Sequence, residues 1–457
     1  MRMKKQQRRQ KMKINDLLNK KVLVWGLGAE GKEILNYLSL HKITNDIVMV
    51  NDTLCDKPQG FEEYPLFIGS DINQALENAD IIIRSPGVSI YKPELQLHKN
   101  KTTSVTDLCL NEIKHNRPNC KLIAISGSKG KSTSVSALAF ILKEFGYKVG
   151  LGGNIGRPLI ELIDDEYDFV VAEISSYQAS DLTVSPHIAM FTNLFYVHSE
   201  WHNGHENYCK DKIHLVSNQE SEEIFFVNER NEQSMEYTKD ISNRELYNTK
   251  DSFYADGKDL YYKNDKLLNI DDLKISGNHN LDNLSGVFSI LKYLDLDIFK
   301  AAEILKNFEP LPHRLQKVAT KNNVTFINDS ISTAPEAAIG AVKSFSGNLV
   351  LISGGQDNLQ DYTDYAKCIE ENDKVKAVIT LFQTGPKIAE TIRKNVKRAD
   401  FMLIEGDSLE KSVATAYDLL QKRGGGTILF TPTSPSFGFY KNFIERGNHF
   451  IEVVKSL

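Results

Sequence analysis

The stretch Ala124–Val135, AISGSKGKSTSV, sets an apolar lead-in before two glycines, a lysine, a serine and a threonine. Residues of these types in this order can grip phosphate. Gly127 and Gly130 let the backbone curl until its N–H groups converge on phosphate oxygens, and a helix that follows adds its positive end. The common loop reads G-x-x-x-x-G-K-[ST]. Here the spacing is shorter, G-x-x-G-K-S, from Gly127 through Ser128, Lys129 and Gly130 to Lys131 and Ser132. Lys131 would serve the terminal phosphates, and Ser132 or Thr133 could ligate Mg²⁺. A Gly-Lys-Ser surface turn is the plainer alternative. The strand-like run before the loop and the helical pattern after it speak against that.

A metal-bound nucleotide needs carboxylates. Glu173 ends the apolar run FVVAE, at the C-terminal edge of a strand, where open parallel sheets bind ligands. A solvated strand-end acid is the competing reading. The segment His198–Leu215 holds four of the 11 histidines, His198, His202, His205 and His214. Zinc is the tempting assignment, but there is no H-E-x-x-H and the cysteines lack ligand spacing. One histidine beside a Mg²⁺–phosphate site is the better expectation. Gly26-x-Gly28-x-x-Gly31, with Asp52 about twenty residues on, could hold a dinucleotide or a nucleotide-sugar diphosphate.

These residues need elements to hold them. Lys21–Leu38 reads as a strand, a glycine turn and a helix; Asn45–Thr53 and Ala79–Ser89 each carry another strand. A second alternation begins at Cys120 and runs through Tyr167–Gln178 and Ile188–Leu194. The polar stretch from about 225 to 275 predicts an antiparallel flank. Gly277–Leu294 resumes a helix. Pro310 and Pro312 bracket a plausible hinge, and NLVLISGG, KAVITLF and GGTILFTP are buried strands of a third block. The expected class is α/β with parallel sheets, in three blocks: 1–113 (with a basic tail over 1–13), 114–311 and 312–457.

Composition agrees. A chain of 457 residues exceeds one ordinary core, and 41% hydrophobic with 25% charged residues fits a soluble globular protein. A net charge of −5 gives no global basic field for nucleic acid. No apolar run is long enough to span a bilayer. The five scattered cysteines form no C-x-x-C pair, which points to a reducing cytoplasm. The start, MRMKKQQRRQKMK, reads as a solvated basic arm.

In order along the chain, GSKGKST, GGNIGRP, EISSYQ, HSEWHNGHENYCKDK, GNHNLDN, LPHR, INDS and YKNFIERG together resemble the Mur ligases, and within them the MurD branch. The resemblance covers nearly everything after the basic tail. It implies three domains: a Rossmann-like UDP-binding domain, a central ATPase with the short loop, and a C-terminal α/β domain. It implies ATP-dependent addition of glutamate to UDP-N-acetylmuramoyl-L-alanine through an acyl phosphate, by a cytoplasmic monomer using Mg²⁺. By the resemblance, Gly127–Thr133, Asn280, Asn283, Arg314 and Asp329 serve ATP. Ser132, Glu173, His198 and Lys212, the last carbamylated, serve Mg²⁺. Gly28, Ala29, Glu30, Asp52, Thr53, Asn154 and Ser175 hold the UDP-sugar. Thr333, Ser436 and Phe443 line the glutamate pocket. The implied catalytic set is Lys131, Glu173, His198, Lys212 and Arg314.

Two of the departures from the family pattern fall in the third block. Lysine-alanine-threonine after NDS is replaced by Ile331-Ser332-Thr333, and GGDGK by Gly354-Gly355-Gln356-Asp357-Asn358; upstream, an aspartate before the motif histidine is Val197. Two cations are thus missing from an anion pocket. Other cations such as Lys441 or Arg446 could compensate, or the pocket could take L-glutamate, as a variant branch does. Three alternatives stay open from the residues: a folylpolyglutamate-synthase-like ligase, an NAD-dependent dehydrogenase using Gly26–Gly31, and a nucleotide-gated binding protein.

Overall fold

A computed structural model describes residues 11–195, 201–275, 277–309, 312–357 and 360–457, apart from the side chains of Ser70 and Glu336. The chain divides into two compact units, 1–309 and 310–457.

The first unit holds three sheets. The leading one is β1 (Val22–Trp25), β2 (Ile47–Asn51), β3 (Leu66–Ile68), β4 (Ile81–Arg84) and β5 (Thr102–Ser104), in the order β3-β2-β1-β4-β5, all parallel. β1, VLVW, is buried throughout, as an apolar run between two covered faces must be. The strand order reverses beside β1, so the crevice at its C-terminal end opens over the glycine turn.

The second sheet is β6 (Lys121–Ser126), β7 (Val149–Gly153), β8 (Phe169–Glu173), β9 (Ile188–Phe191), β10 (Ile224–Asn228) and β11 (Arg244–Tyr247). Its order is β11-β10-β9-β6-β8-β7, again all parallel. Register places the chemistry: Ile125 pairs with Glu173, and Ser126 with Phe191. A third, antiparallel sheet follows, β12 (Phe253–Asp256), β13 (Asp259–Tyr262) and β14 (Asp265–Asn269). The expected flank over 225–275 is therefore split. Its first part, the buried apolar IFFVN and its neighbour β11, extends the parallel sheet; only 253–269 is antiparallel. The expected helix is present as His279–Tyr293.

The second unit carries one sheet: β15 (Gln316–Lys321), β16 (Val324–Asn328), β17 (Leu349–Ser353), β18 (Val375–Thr380), β19 (Met402–Glu405) and β20 (Gly426–Phe430). The order is β15-β16-β20-β17-β18-β19, parallel except for the β15 edge. Asp329, Gly354 and Thr431 all lie just past strand C-termini, at the edge where such sheets bind ligands. Among the described residues no helix is long and apolar enough to cross a membrane.

Candidate active site

The loop Gly127–Gly130 links β6 to the helix Lys131–Glu144. Both glycines sit at positive φ, +144° and +85°. A Cβ at Gly127 would lie 1.9 Å from Thr192 Oγ1, and one at Gly130 would lie 2.5 Å from the Asn283 amide. Only glycine meets both the conformation and the space. The loop is clamped from β9's end. Ser128 N donates to Asn193 O (2.8 Å), Lys129 N donates to Asn193 Oδ1 (2.9 Å), and Thr192 Oγ1 donates to Lys129 O (2.6 Å). Lys129 itself is exposed, Ser132 is buried and Thr133 half-buried on the first helical turn. Lys131 Nζ donates to Gly127 O (2.9 Å) and Ser128 O (3.2 Å), so a cation lies directly on the loop.

Lys212 comes from the helix His205–Ile213. Its Nζ donates to Gly127 O (2.9 Å) and Ser126 Oγ (3.1 Å). Burial, then the nearby Lys131 charge, holds its ammonium well below the ordinary lysine range, with Glu173 pulling the other way. The Glu173 carboxylate is 1% exposed. One oxygen accepts from Asn154 Nδ2 (2.7 Å), and the other, Oε2, is buried without a hydrogen-bond partner. An orphaned carboxylate oxygen costs free energy unless something cationic meets it. Beside the glycine loop and a lysine whose ammonium burial disfavours, that carboxylate fits a divalent ion. His198 lies outside the described residues, as do Val197 and Asn358. Among the described residues no three His, Cys, Asp or Glu side chains cluster as a metal cage.

Asn280 and Asn283 are buried on the helix His279–Tyr293, with Asn283 against Gly130. On the first sheet, Gly28 caps the helix Ala29–Leu40, whose first two residues are Ala29 and Glu30. A Cβ at Gly31 would collide with Gly26 O at 1.9 Å, which fixes the close turn. Glu30 accepts from Gln178 Nε2 (2.7 Å), and burial raises its carboxyl. Asp52 accepts from Trp25 Nε1 (3.1 Å) and pairs with Lys92 (3.2 Å). Thr53 is exposed beside it, its carbonyl accepting from Asn51 Nδ2 (2.9 Å). Ser175 caps the short helix Ser176–Ala179 in a reciprocal box with Gln178.

In the second unit Asp329 is buried, accepting from Leu315 N (3.0 Å) and from Ser332 Oγ. Burial pushes its carboxyl up to about 6, opposed in part by Arg314. Ile331 and Thr333 follow within four residues. Ser436 is buried, and Phe443 opens the helix Phe443–Ser456 with its carbonyl accepting from Ser330 Oγ (2.8 Å). One turn on, Arg446 is fully buried among neutral acceptors: Ser330 Oγ (3.1 Å), Ser330 O (2.8 Å) and Ser434 O (2.9 Å). Desolvation lowers it to about 10. Lys441 is exposed.

Sequence reasoning missed several members. Tyr208 shares a hydrogen bond with Ser128 Oγ (2.6 Å), and burial raises its phenol. Asn193 and Gln178 are clamps on predicted site residues. Tyr208 and Gln178 lie inside quoted motifs, and Asn193 lies within the run Ile188–Leu194, so the signal available was position within those runs.

Family models match two stretches: the Mur ligase middle domain at residues 125–291 and the MurD-like N-terminal domain at 20–107. The UDP-N-acetylmuramoylalanine–D-glutamate ligase of Acetivibrio thermocellus is 31% identical, covering 97% of this chain and 99% of that one. The UDP-N-acetylmuramoyl-L-alanine–L-glutamate ligase of Xanthomonas oryzae pv. oryzae is 30% identical, with 97% and 96% covered. Among solved structures, MurF from Acinetobacter baumannii superposes with a TM-score of 0.58 at 14% identity, over 96% of this chain and 93% of that one. MurF from Thermotoga maritima, in complex with ADP, gives 0.56 at 16%, over 98% and 99%. Those two likenesses speak for the fold; the full-length sequence relatives and the matched domains speak for descent, and the chain belongs to the Mur ligase family.

Proposed function

We propose that this chain is an ATP-dependent ligase of peptidoglycan precursor synthesis. It joins L-glutamate to UDP-N-acetylmuramoyl-L-alanine and releases ADP and phosphate. The observation that carries the reaction class is the pairing of Ile125 with Glu173, which sets an orphaned carboxylate oxygen beside a loop whose Gly127 carbonyl accepts from both Lys131 and Lys212. A carboxylate is a poor acyl donor. Transfer of the ATP γ-phosphoryl group to the alanine carboxylate gives an acyl phosphate and ADP. The glutamate amine then attacks the carbonyl carbon, and the tetrahedral adduct collapses with loss of phosphate.

The chain's own work is positioning and charge neutralisation. Loop amides and Lys131 would hold the phosphates, with Asn280 and Asn283 beside them. Ser132, Glu173 and a carbamylated Lys212, with His198, would hold Mg²⁺, which neutralises phosphate charge when bound. Carbamylation needs a neutral amine, and the burial that pushes the Lys212 ammonium below the ordinary lysine range favours that form. Arg314 and Asp329 keep the ATP role that the family pattern gives them. Residues 1–113 would bind the UDP-sugar, through Gly28, Ala29, Glu30, Asp52 and Thr53 with Asn154 and Ser175. Residues 312–457 would bind glutamate, at Thr333, Ser436 and Phe443. The enzyme would act as a cytoplasmic monomer.

The L isomer rests on Ile331, an apolar side chain where the D-glutamate pattern has a cation. The D-glutamate name of the Acetivibrio relative favours the other isomer, so both belong in the test. ADP release is followed with ATP, Mg²⁺ and the UDP-muramoyl-alanine acceptor, and product mass is read alongside. One product per ADP, dependent on acceptor and glutamate together, is expected. ADP release indifferent to the acceptor would overturn the reading, and stimulation by a folate instead would point to the pterin-linked alternative.

A further inference from the structure

The His202 imidazole is fully buried. Its Nδ1 lies 2.6 Å from Asp211 Oδ2, and its Nε2 lies 3.0 Å from Ser176 Oγ. A carboxylate only accepts, so Nδ1 carries a proton and donates it, while Nε2 shares the second hydrogen bond with the Ser176 hydroxyl. Asp211 also accepts from Tyr91 OH, at 3.0 and 3.1 Å from its two oxygens. Serine, histidine and aspartate in line suggest a hydrolase, but Ser176 is 4% exposed and His202 not at all. The rings of Trp201, Tyr208 and Tyr177 wall the imidazole at 4.5, 5.2 and 5.4 Å between centroids. No substrate reaches that hydroxyl, so the line is a brace rather than a nucleophile.

What it braces is specific. Ser176 comes three residues after Glu173, at the head of the helix that follows β8. Asp211 immediately precedes Lys212. One imidazole therefore spans the segment carrying the orphaned carboxylate and the helix carrying Lys212. Tyr91 ties the same aspartate to the loop after β4. That loop is pinned nearby: Ser89 Oγ donates to Trp201 O (2.8 Å), and Trp201 Nε1 donates to Gly87 O (3.1 Å). We propose that His202 and Asp211 are positioning residues that set the spacing between Glu173 and Lys212, with Tyr91 extending the brace to the first sheet. The inference rests on the functional reading above, in which Glu173 and Lys212 serve one phosphate site.

Two conservative variants separate the two ends of the ring. His202→Asn keeps a donor toward Asp211 and loses Ser176; His202→Gln keeps the Ser176 side and loses Asp211. Each lowers kcat by about 10- to 100-fold, the scale of an ångström of misplacement. KM for ATP stays within about twofold, because the loop's own clamps are untouched. Tyr91→Phe, which keeps the ring packing, lowers kcat by about threefold. A second readout needs no turnover: acylation of lysines by an N-hydroxysuccinimide ester, mapped by mass spectrometry, with exposed Lys210 as internal standard. Lys212 labelling relative to Lys210 rises at least about threefold in His202→Gln, as a freed helix admits reagent. Wild-type kcat in both His202 variants, or a fall in kcat with unchanged Lys212 labelling, overturns the brace. Should the His202 variants not fold, Tyr91→Phe decides on the same two readouts. A wild type without glutamate-dependent turnover would instead sink the functional reading, while the labelling ratio still decides the brace.

Discussion

Two regions of this molecule treat charge in opposite ways. Around the glycine loop the buried charged groups are held in place: two lysines bond the same Gly127 carbonyl, and a buried carboxylate lies at the paired strand position. Past β16 and β17 the lysines of the family pattern are replaced by Ile331 and Asn358, and among the described residues the buried Arg446 is bonded to neutral oxygens. Phosphoryl transfer admits one arrangement of charges, so the first region keeps its form. On the proposed reading the second region recognises the amino acid, and because recognition is a difference between affinities it can be rebuilt without touching the chemistry.

The contrast can be broken at its strong end. Lys131→Ala should cut turnover by about 1,000-fold or more, the scale of a lost phosphate-clamping cation. Acceptor binding by calorimetry should stay within about twofold. Loss of both together would mean that the acceptor is not held by residues 1–113. Gly130→Ala comes next. Its new Cβ meets Asn283 and its φ of +85° is strained, so kcat/KM for ATP should fall about 100-fold. Adding Asn283→Ala removes the clash but not the strain, and full recovery would show that conformation is unimportant there.

The second region offers subtler tests. Asp329 binds its proton more tightly folded than unfolded, its carboxyl standing at about 6 against an ordinary 3.8. Its contribution to stability is therefore most favourable below the ordinary value and declines as pH rises to about 6. Asp329→Asn should gain on the wild type by about 2 kcal/mol at pH 7 and gain nothing at pH 4, by urea unfolding. An equal gain at both pH values would remove the carboxyl as the cause. The smallest effect concerns specificity. Ile331→Lys with Asn358→Lys should move the D-to-L ratio of kcat/KM by about tenfold toward D-glutamate. An unmoved ratio would show that these positions do not set the isomer.

Much of this was legible in the chain. The phosphate loop can be read because its glycines, lysine and serine are adjacent in sequence, and the long apolar strands announce themselves by burial on both faces. Short or glycine-rich strands such as β3, β5 and VGLGG of β7 carried too little pattern. The missed clamps are long-range: Tyr208 meets Ser128 across 80 residues and Gln178 meets Glu30 across 148, distances that only the fold closes. In the chain His202 is one of four histidines within His198–Leu215, and its burial comes from three aromatic walls that no local period predicts. In the second unit the missing lysines were visible, but the buried Arg446 beneath Ser434 was not.

The central claim is that the phosphoryl-transfer chemistry proposed for the first region is joined to a rebuilt amino-acid pocket. Its most direct test is a single competition. Equal D- and L-glutamate are supplied with ATP, Mg²⁺ and the UDP-muramoyl-alanine acceptor, and the glutamate in the hydrolysed product is resolved by chirality. Product carrying L-glutamate in large excess is the predicted result. Product carrying D-glutamate in large excess would contradict it and return the pocket to the ordinary D-glutamate pattern, reached without those lysines.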